Sequence, residues 1–435
     1  MRSTRDKGRV STVEMQIAAR ARNYPEEALT NLHQFIDEEL LHECYGILNK
    51  QSASGVDHQT WKDYDQDRKD RIPQLLTAFK SGSYKAPNIR RVYISKEDGT
   101  QRPLGLPTME DKLLQTAVSK VLTPVYEQLF YDGSYGFRPG KSQHQALEEL
   151  FKEVSFKRKR YIIDADIKNY FGSINHTRLR EVLDLKIKDG VIRKMIDKWL
   201  KAGIQEESQV LYPTEGTPQG GTISPLLSNI FLHYVLDDWF IKQIQPLLKR
   251  ESFLIRYADD FLMGFTNEED AKRVMEVLGK RFEKYGIILH PEKTKLIKLD
   301  GKDVDTDHTT FDFLGFTHYL GKSLKGRQIL KRKTSRKKLR GALVRMNKWI
   351  KENRHSPFLE GLIADLNRKL RGYYQYYGVT FNSRAIVIYH ERVKRMLFKW
   401  VNRRGARESL TWEQFALRIN VWSPLEKPKI YHKFF

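Results

Sequence analysis

The 435-residue sequence has a single cysteine, Cys44, so no disulfide can close within the chain and no cysteine-built zinc site is possible. A chain without disulfides suits a reducing compartment, and a cytoplasmic protein is expected. No run of about 18 apolar residues occurs, so no membrane-spanning helix and no membrane partner are expected. The opening residues are polar and charged, without the apolar stretch of a secretory signal. Internal repeats and low-complexity segments are also missing. Acidic residues are scarce in one region only. Residues 321–435 hold 29 Lys and Arg against 7 Asp and Glu, a net of +22, whereas residues 1–320 hold 48 against 47. Nearly all of the +23 excess therefore sits in the last quarter of the chain. Charge so concentrated points to an appended module that grips a polyanion, rather than to a merely solvated basic surface.

What is present fits a globular protein of two or three domains, with 40% apolar and 30% charged residues. Residues 1–60 are mixed polar and amphipathic, read as helical and close on Ser54-Gly55-Val56-Asp57. A second helical stretch covers Ile72–Phe79. Arg90–Ile94 reads as a strand, followed by a hairpin-turn signal at Glu97-Asp98-Gly99-Thr100. Apolar spacing predicts helices over Lys112–Phe130, Val191–Leu200 and Glu269–Tyr285. Strands are expected at Tyr161–Ile167, Phe253–Tyr257, Phe261–Phe265 and Thr310–Thr317. After Gly321 the composition shifts, with twelve basic residues and no acidic one between 321 and 350. Three apolar faces follow: Leu339, Leu343, Met346 and Ile350; Leu359, Leu362, Leu366 and Leu370; and Ile386, Tyr389, Val393, Met396 and Trp400. Their spacing predicts a small helical bundle.

The chemistry centres on carboxylates. Tyr257-Ala258-Asp259-Asp260 lies between two apolar strands, where adjacent acids are costly to bury unless a cation neutralises them. Taken alone, the dipeptide also reads as a solvated hairpin tip. Adjacent residues of a turn point to different sides, which favours Asp259 as the primary ligand. Two-metal phosphoryl transfer needs carboxylates from separate segments, holding the ions about 4 Å apart. The segment Tyr161–Ile167 supplies Asp164 and Asp166, which share one face of a strand. Glu215-Gly216-Thr217-Pro218-Gln219-Gly220-Gly221 is a glycine-rich turn whose backbone could approach a base or phosphate. Ser224 looks like the N-cap, and Pro225 the first residue, of an apolar helix reaching about Phe240.

These pieces fall into ordered blocks: Arg102-Pro103-Leu104-Gly105-Leu106-Pro107-Thr108, Ser134-Tyr135-Gly136-Phe137-Arg138-Pro139-Gly140, Asp166–Phe171, Gly216–Gly221, Tyr257–Asp260, Pro291-Glu292-Lys293-Thr294 and Phe313-Leu314-Gly315-Phe316. From about Gly55 to Gly378 the chain resembles a group II intron-type reverse transcriptase of the intron-encoded maturase kind. The resemblance implies an α+β right-hand polymerase, with fingers, a palm built on an antiparallel sheet, and a helical thumb or maturase X domain. The implied division is an N-terminal extension over 1–60, fingers and palm over 61–320, thumb over 321–405 and a short C-terminal tail over 406–435.

It also assigns roles. Asp166 is preferred over Asp164 because it precedes the aromatic pair Tyr170-Phe171. Asp166, Asp259 and Asp260 become the catalytic acids, and Asp166, Asp259 and the Ile167 carbonyl the holders of two Mg²⁺ ions, with Mn²⁺ as an alternative. Lys96, Arg102, Phe171 and Gln219 would meet the incoming dNTP, with Phe171 crowding the sugar 2′ position. Gly220, Gly221, Leu314 and Gly315 would lie along primer and template, with Phe313–Phe316 resembling the primer-grip hairpin, and Lys293 would be a general acid. Arg138 would make either a structural salt bridge or a template contact. Lys331, Arg332, Lys333, Arg336, Lys337, Lys338 and Arg340 would bind RNA through its phosphates. The tyrosines in Arg371–Gly378 read as packing residues ahead of base-stacking ones. The implied partners are intron RNA, an RNA template with its DNA primer, and dNTPs. No HNH endonuclease is expected, because few residues and no cysteine pairs follow Arg407. Two other roles stay open: a splicing cofactor with incidental polymerase activity, and a domesticated enzyme of DNA repair or phage defence.

Overall fold

A computed structural model describes residues 4–95, 99–206, 209–217, 220–300, 309–355, 359–403, 409–422 and 424–434. In chain order the elements are α1 (Thr4–Asn23), α2 (Glu38–Ile47), α3 (Trp61–Ser81), β1 (Ile89–Ser95), β2 (Gln101–Leu106), α4 (Met109–Tyr126), α5 (Gln143–Ser155), β3 (Tyr161–Ala165), α6 (Tyr170–Ser173), α7 (His176–Asp184), α8 (Gly190–Lys201), β4 (Ile204–Glu206) and β5 (Gln209–Leu211). Then come α9 (Ser224–Leu232), π-helical turns at His233–Asp237 and Trp239–Ile244, β6 (Ser252–Tyr257), β7 (Asp260–Phe265), α10 (Glu268–Glu283) and β8 (Lys295–Lys298). The last part holds β9 (Phe311–Phe313), β10 (Phe316–Lys322), β11 (Gln328–Thr334), α11 (Arg336–Asn353), α12 (Leu359–Tyr377), α13 (Ser383–Val401) and α14 (Trp412–Trp422). The fold is mixed α/β with a helical C-terminal region. The chain forms two compact units. One comprises 1–142, 165–263 and 269–295; the other comprises 143–164, 264–268 and 296–435.

In the first unit, local chemistry sets the element ends. Thr60 and Asp63 form a reciprocal capping box at the start of α3, and Gly82 ends it with a φ of 73°. Thr108 caps α4 by accepting from the Asp111 amide. α4 is buried over most of its surface, with Leu113, Leu114, Val118, Val121, Leu122 and Val125 inside alongside the polar Asp111 and Gln115, and so runs through the core. α1 lies against α4 with Ile17 and Ala21 buried, which gives the N-terminal extension a packing role. The β1–β2 hairpin pairs Ser95 with Gln101, and a four-stranded sheet takes the order β2-β1-β4-β5. Glu97 and Asp98 of the expected turn lie outside the described residues.

Two expectations need correction here. Ser224 is not an N-cap: the cap position is Ile223, and Ser224 is the buried first residue of α9. The apolar helix does reach the region of Phe240, but after Leu232 it widens into π turns, which insert a residue and shift the helical phase.

In the second unit, Thr310–Thr317, strand-like by pattern, is a hairpin turning within Phe313–Phe316, where the resemblance implies one. Leu314 and Gly315 take φ values of 49° and 80°, reversing the chain between β9 and β10. The sheet order is β11-β10-β9. α11, α12 and α13 bury the anticipated apolar faces around Leu343, Met346, Ile350, Leu362, Leu366, Leu370, Ile386, Tyr389 and Val393. Met396 and Trp400 stay partly buried, and Leu397 takes the inner position. Within the segment expected as a short tail, α14 adds Phe415 and Ile419 to the same core.

Candidate active site

Both carboxylates come from backbone held by strand pairing in the first unit. β6 buries Phe253, Leu254 and Ile255 and delivers the chain to the turn. β7 leaves it with Phe261, Leu262 and Met263 buried. Ala258 sits in the left-handed region at a φ of 58°, uncommon for a residue with a side chain. Asp259 is half-buried, and Asp260, which opens β7, is exposed. Asp166 directly follows β3. Its carbonyl accepts from the His290 amide at 2.8 Å, and the Lys168 amide donates to the Ile288 carbonyl at 2.9 Å. This antiparallel bridge leaves Ile167 as the non-hydrogen-bonded residue, so its carbonyl is directed away from the 288–290 segment.

The electrostatics show what the two acids lack. Burial raises the Asp259 carboxyl above its ordinary value, and the Asp166 charge raises it further, while Arg102 and Arg256 work against this. Lys293 donates to Asp166 Oδ2 at 2.5 Å, so one carboxylate already takes a cation. Among the described residues, no cluster of three or more His, Cys, Asp or Glu side chains could hold a metal ion by itself. Two carboxylates and a carbonyl form an all-oxygen, incomplete donor set. That fits Mg²⁺ or Mn²⁺, which keep waters and take further oxygens from substrate phosphates, and it does not fit Zn²⁺.

The glycine-rich segment is folded against the turn that carries Phe171. The Thr217 amide donates to the Phe171 carbonyl at 2.7 Å and the Gly216 amide to the Ile174 carbonyl at 2.8 Å. Phe171 is half-buried, edge-on to Tyr170, whose buried hydroxyl donates to the Ser228 carbonyl at 2.6 Å. Gly220 has a φ of 118°, and a Cβ there would stand 2.3 Å from the Gly105 carbonyl oxygen. That glycine is required by both backbone shape and close approach. Gly105 lies on β2, the strand that carries the exposed Arg102, which pairs opposite Ile94. Gly221 is buried just before α9. Lys96 and Gln219 lie outside the described residues.

Arg138 makes the structural salt bridge: it is buried and donates to Glu127 and to the Tyr131 and Ser134 carbonyls. Leu314 and Gly315 belong to the second unit, where Tyr376 donates to the Leu314 carbonyl at 3.0 Å. Of the basic residues there, Lys333, Arg336, Lys337, Lys338 and Arg340 are exposed and Lys331 is half-buried. Arg332 is not available to RNA. It is fully buried, donates to the Leu147 carbonyl and stacks 4.4 Å from the Phe434 ring. The period of two in β11 sends it to the opposite face from Lys331 and Lys333, and burial pushes its guanidinium down to about 9. The tyrosines pack: Tyr374 is buried and Tyr373 stacks on Tyr389 at 3.6 Å.

Sequence reasoning missed the support under the acidic turn. Arg256 is fully buried and forms a bidentate pair with Asp237. The available signal was a lone arginine inside the apolar strand Phe253–Tyr257 and an acid inside an apolar helix, which demand each other once buried.

A family model described as reverse transcriptase (RNA-dependent DNA polymerase) matches residues 94–318. A second, described as the group II intron maturase-specific domain, matches residues 339–416. The group II intron-encoded protein LtrA of Lactococcus lactis subsp. cremoris is 42% identical over 184 residues, covering 42% of this chain and 30% of that protein. Protein YkfC of Escherichia coli (strain K12) is 38% identical over 211 residues, 42% of this chain and 55% of that protein. An uncharacterized 91 kDa protein in the cob intron of Schizosaccharomyces pombe is 37% identical over 209 residues, 46% of this chain and 25% of that protein. The similarity thus spans from a quarter to about half the length of these relatives.

Proposed function

The chain belongs to the reverse transcriptase family, with a group II intron maturase-specific domain behind the polymerase part, and from that premise we propose that it is an RNA-directed DNA polymerase. Residues 61–320 read as fingers and palm, and 321–405 as thumb. The observation that carries the reading is the pair Asp166 and Asp259, drawn from separate segments: burial raises the Asp259 carboxyl and the Asp166 charge raises it further within a half-buried site.

Asp166, Asp259 and the Ile167 carbonyl would hold two Mg²⁺ ions, or Mn²⁺ in their place. When bound, the ions supply Lewis acidity toward the primer 3′-oxygen and offset the phosphate charge. The primer oxygen bonds to the α-phosphorus of the dNTP as the bond to pyrophosphate breaks. Arg102, with Lys96, would draw in the triphosphate and offset its charge. Lys293, which here neutralises Asp166, would protonate the departing pyrophosphate. Phe171 would lie under the sugar, where a hydroxyl at 2′ has no room. Gly220 and Gly221 would bring backbone close beneath the template–primer pair. The test is primer extension on poly(rA)/oligo(dT). Asp259→Ala should abolish it while RNA binding persists, and extension surviving in that variant would overturn the assignment.

A maturase role has its own support. Arg336, Lys337 and Lys338 crowd the first turn of α11, where the helix dipole disfavours cations. A bound polyanion removes that conflict. The protein is therefore also proposed to bind its intron RNA and assist splicing and mobility. Splicing retained by Asp259→Ala protein supports this role; loss of splicing alongside intact RNA binding argues against it.

A further inference from the structure

We propose that Arg256 is a positioning residue for the metal-binding turn: held by Asp237 and Asn229, it fixes Ala258 in its left-handed conformation and so aims Asp259. Its guanidinium is enclosed by partners. Nε donates to Asp237 Oδ1 at 2.8 Å and Nη2 to Oδ2 at 2.6 Å. Nη1 donates to Asn229 Oδ1 at 2.9 Å and to the Ala258 carbonyl at 3.0 Å. Asn229 in turn donates from Nδ2 to the Gly136 carbonyl at 2.7 Å, which fixes which way its amide faces. The Arg256 backbone is pinned as well, its amide donating to Gly133 and its carbonyl accepting from Tyr135, both at 2.8 Å.

The turn is thus gripped from two sides. Arg256 holds the Ala258 carbonyl, and Gly136 backs onto the Ala258 amide so closely that a Cβ would stand 2.3 Å from it. Asp237 reaches the guanidinium from the first π turn after α9, where the extra residue resets which side chains face β6. A fully buried ion pair adds little to stability compared with apolar packing of the same volume. Its worth here lies in direction. The fork leaves a donor aimed at the one backbone carbonyl whose placement sets the residue before Asp259, and bidentate geometry cannot be copied by lysine.

The inference rests on the proposed metal site at Asp166 and Asp259, and its test reads that site directly. Mn²⁺ binding to the free protein would be titrated by electron paramagnetic resonance, beside kcat and KM for extension and a thermal unfolding control. Arg256→Lys and Gly136→Ala should each unfold cooperatively yet weaken Mn²⁺ binding and kcat by about tenfold to a hundredfold, with KM for primer–template changed less than about twofold. Adding Ala258→Gly to Arg256→Lys should return part of the Mn²⁺ affinity, because glycine takes a positive φ unaided. A core-packing role for Arg256 would not be relieved that way. Arg256→Lys and Gly136→Ala proteins with wild-type Mn²⁺ affinity and kcat, or losses matching only the unfolded fraction, overturn the proposal. A wild-type protein that binds Mn²⁺ but extends no primer counts against the polymerase reading alone. Should Arg256→Lys fail to fold, Gly136→Ala presses the same turn from outside the ion pair.

Discussion

At the residue scale, the site is a balance of unlike environments. Asp166 is met by a mostly exposed lysine, while Asp259 is held by buried structure and lies close to a second negative charge. The proposed metal ion would displace only a surface ammonium at Asp166 and relieve repulsion at Asp259. Phe171 is the residue with the sharpest expected specificity effect. Its backbone is held by the Thr217 bond to its carbonyl, and its ring meets Tyr170 edge-on. Phe171→Ala should raise the rNTP/dNTP ratio of kcat/KM by about tenfold or more, read by single-nucleotide extension. An unchanged ratio would place that ring in the core rather than under the sugar.

At the element scale, two devices connect packing to function. The first is the contact of the glycine-rich turn with β2. Gly220→Ala forces a side chain against the Gly105 carbonyl at a φ that disfavours it, and should cost about 1–3 kcal/mol by urea denaturation. It should also raise KM for dNTP, because β2 carries Arg102. The second is the start of α11. Charge reversal of Arg336, Lys337 and Lys338 to Glu should lower RNA affinity and flatten the slope of log K against log salt by about two to three. Thermal stability should hold or rise, because acids suit a helix N-terminus. Opposite signs in binding and stability separate this from general damage. The elements themselves were largely legible: helical spacing located α8, α10 and the bundle helices to within a few residues. The misses came where a local rule meets a long-range one. A left-handed Leu314 splits an apparent strand, and π turns extend a helix whose period then no longer matches 3.6.

At the scale of the whole molecule, polar groups buried away from the site set the response to pH. Asp111 lies on α4 within the first unit, accepting from Trp199 at 2.8 Å and Tyr84 at 3.1 Å. Burial pushes its carboxyl up to about 7 from 3.8. Folding therefore favours the protonated form, and the stability it contributes is present below the unfolded value and lost as pH rises toward the folded one. Asp111→Asn keeps the acceptor and removes the titration. Denaturation midpoints should show the wild type losing ground to this variant between about pH 4 and 7, with the variant more stable at pH 8; parallel curves would contradict a buried, titrating Asp111.

The sequence by itself determined the family: the Tyr257–Asp260 turn, Asp166 ahead of an aromatic pair, the glycine turn and the basic last quarter are contiguous patterns, and the family follows from their order. It determined them because motifs, turns and charge density are local properties of a chain. Only the tertiary structure decided which cations face solvent, since strand alternation says that Lys331 and Arg332 part company but not which goes inside. It also decided that Lys293 meets Asp166 across 127 residues and that Arg256 meets Asp237 across 19. Such pairings depend on how sheets and helices close on each other, and for Arg256 and Asp237 burial then makes the pair obligatory, because a charge removed from water must find its partner wherever the fold has put it.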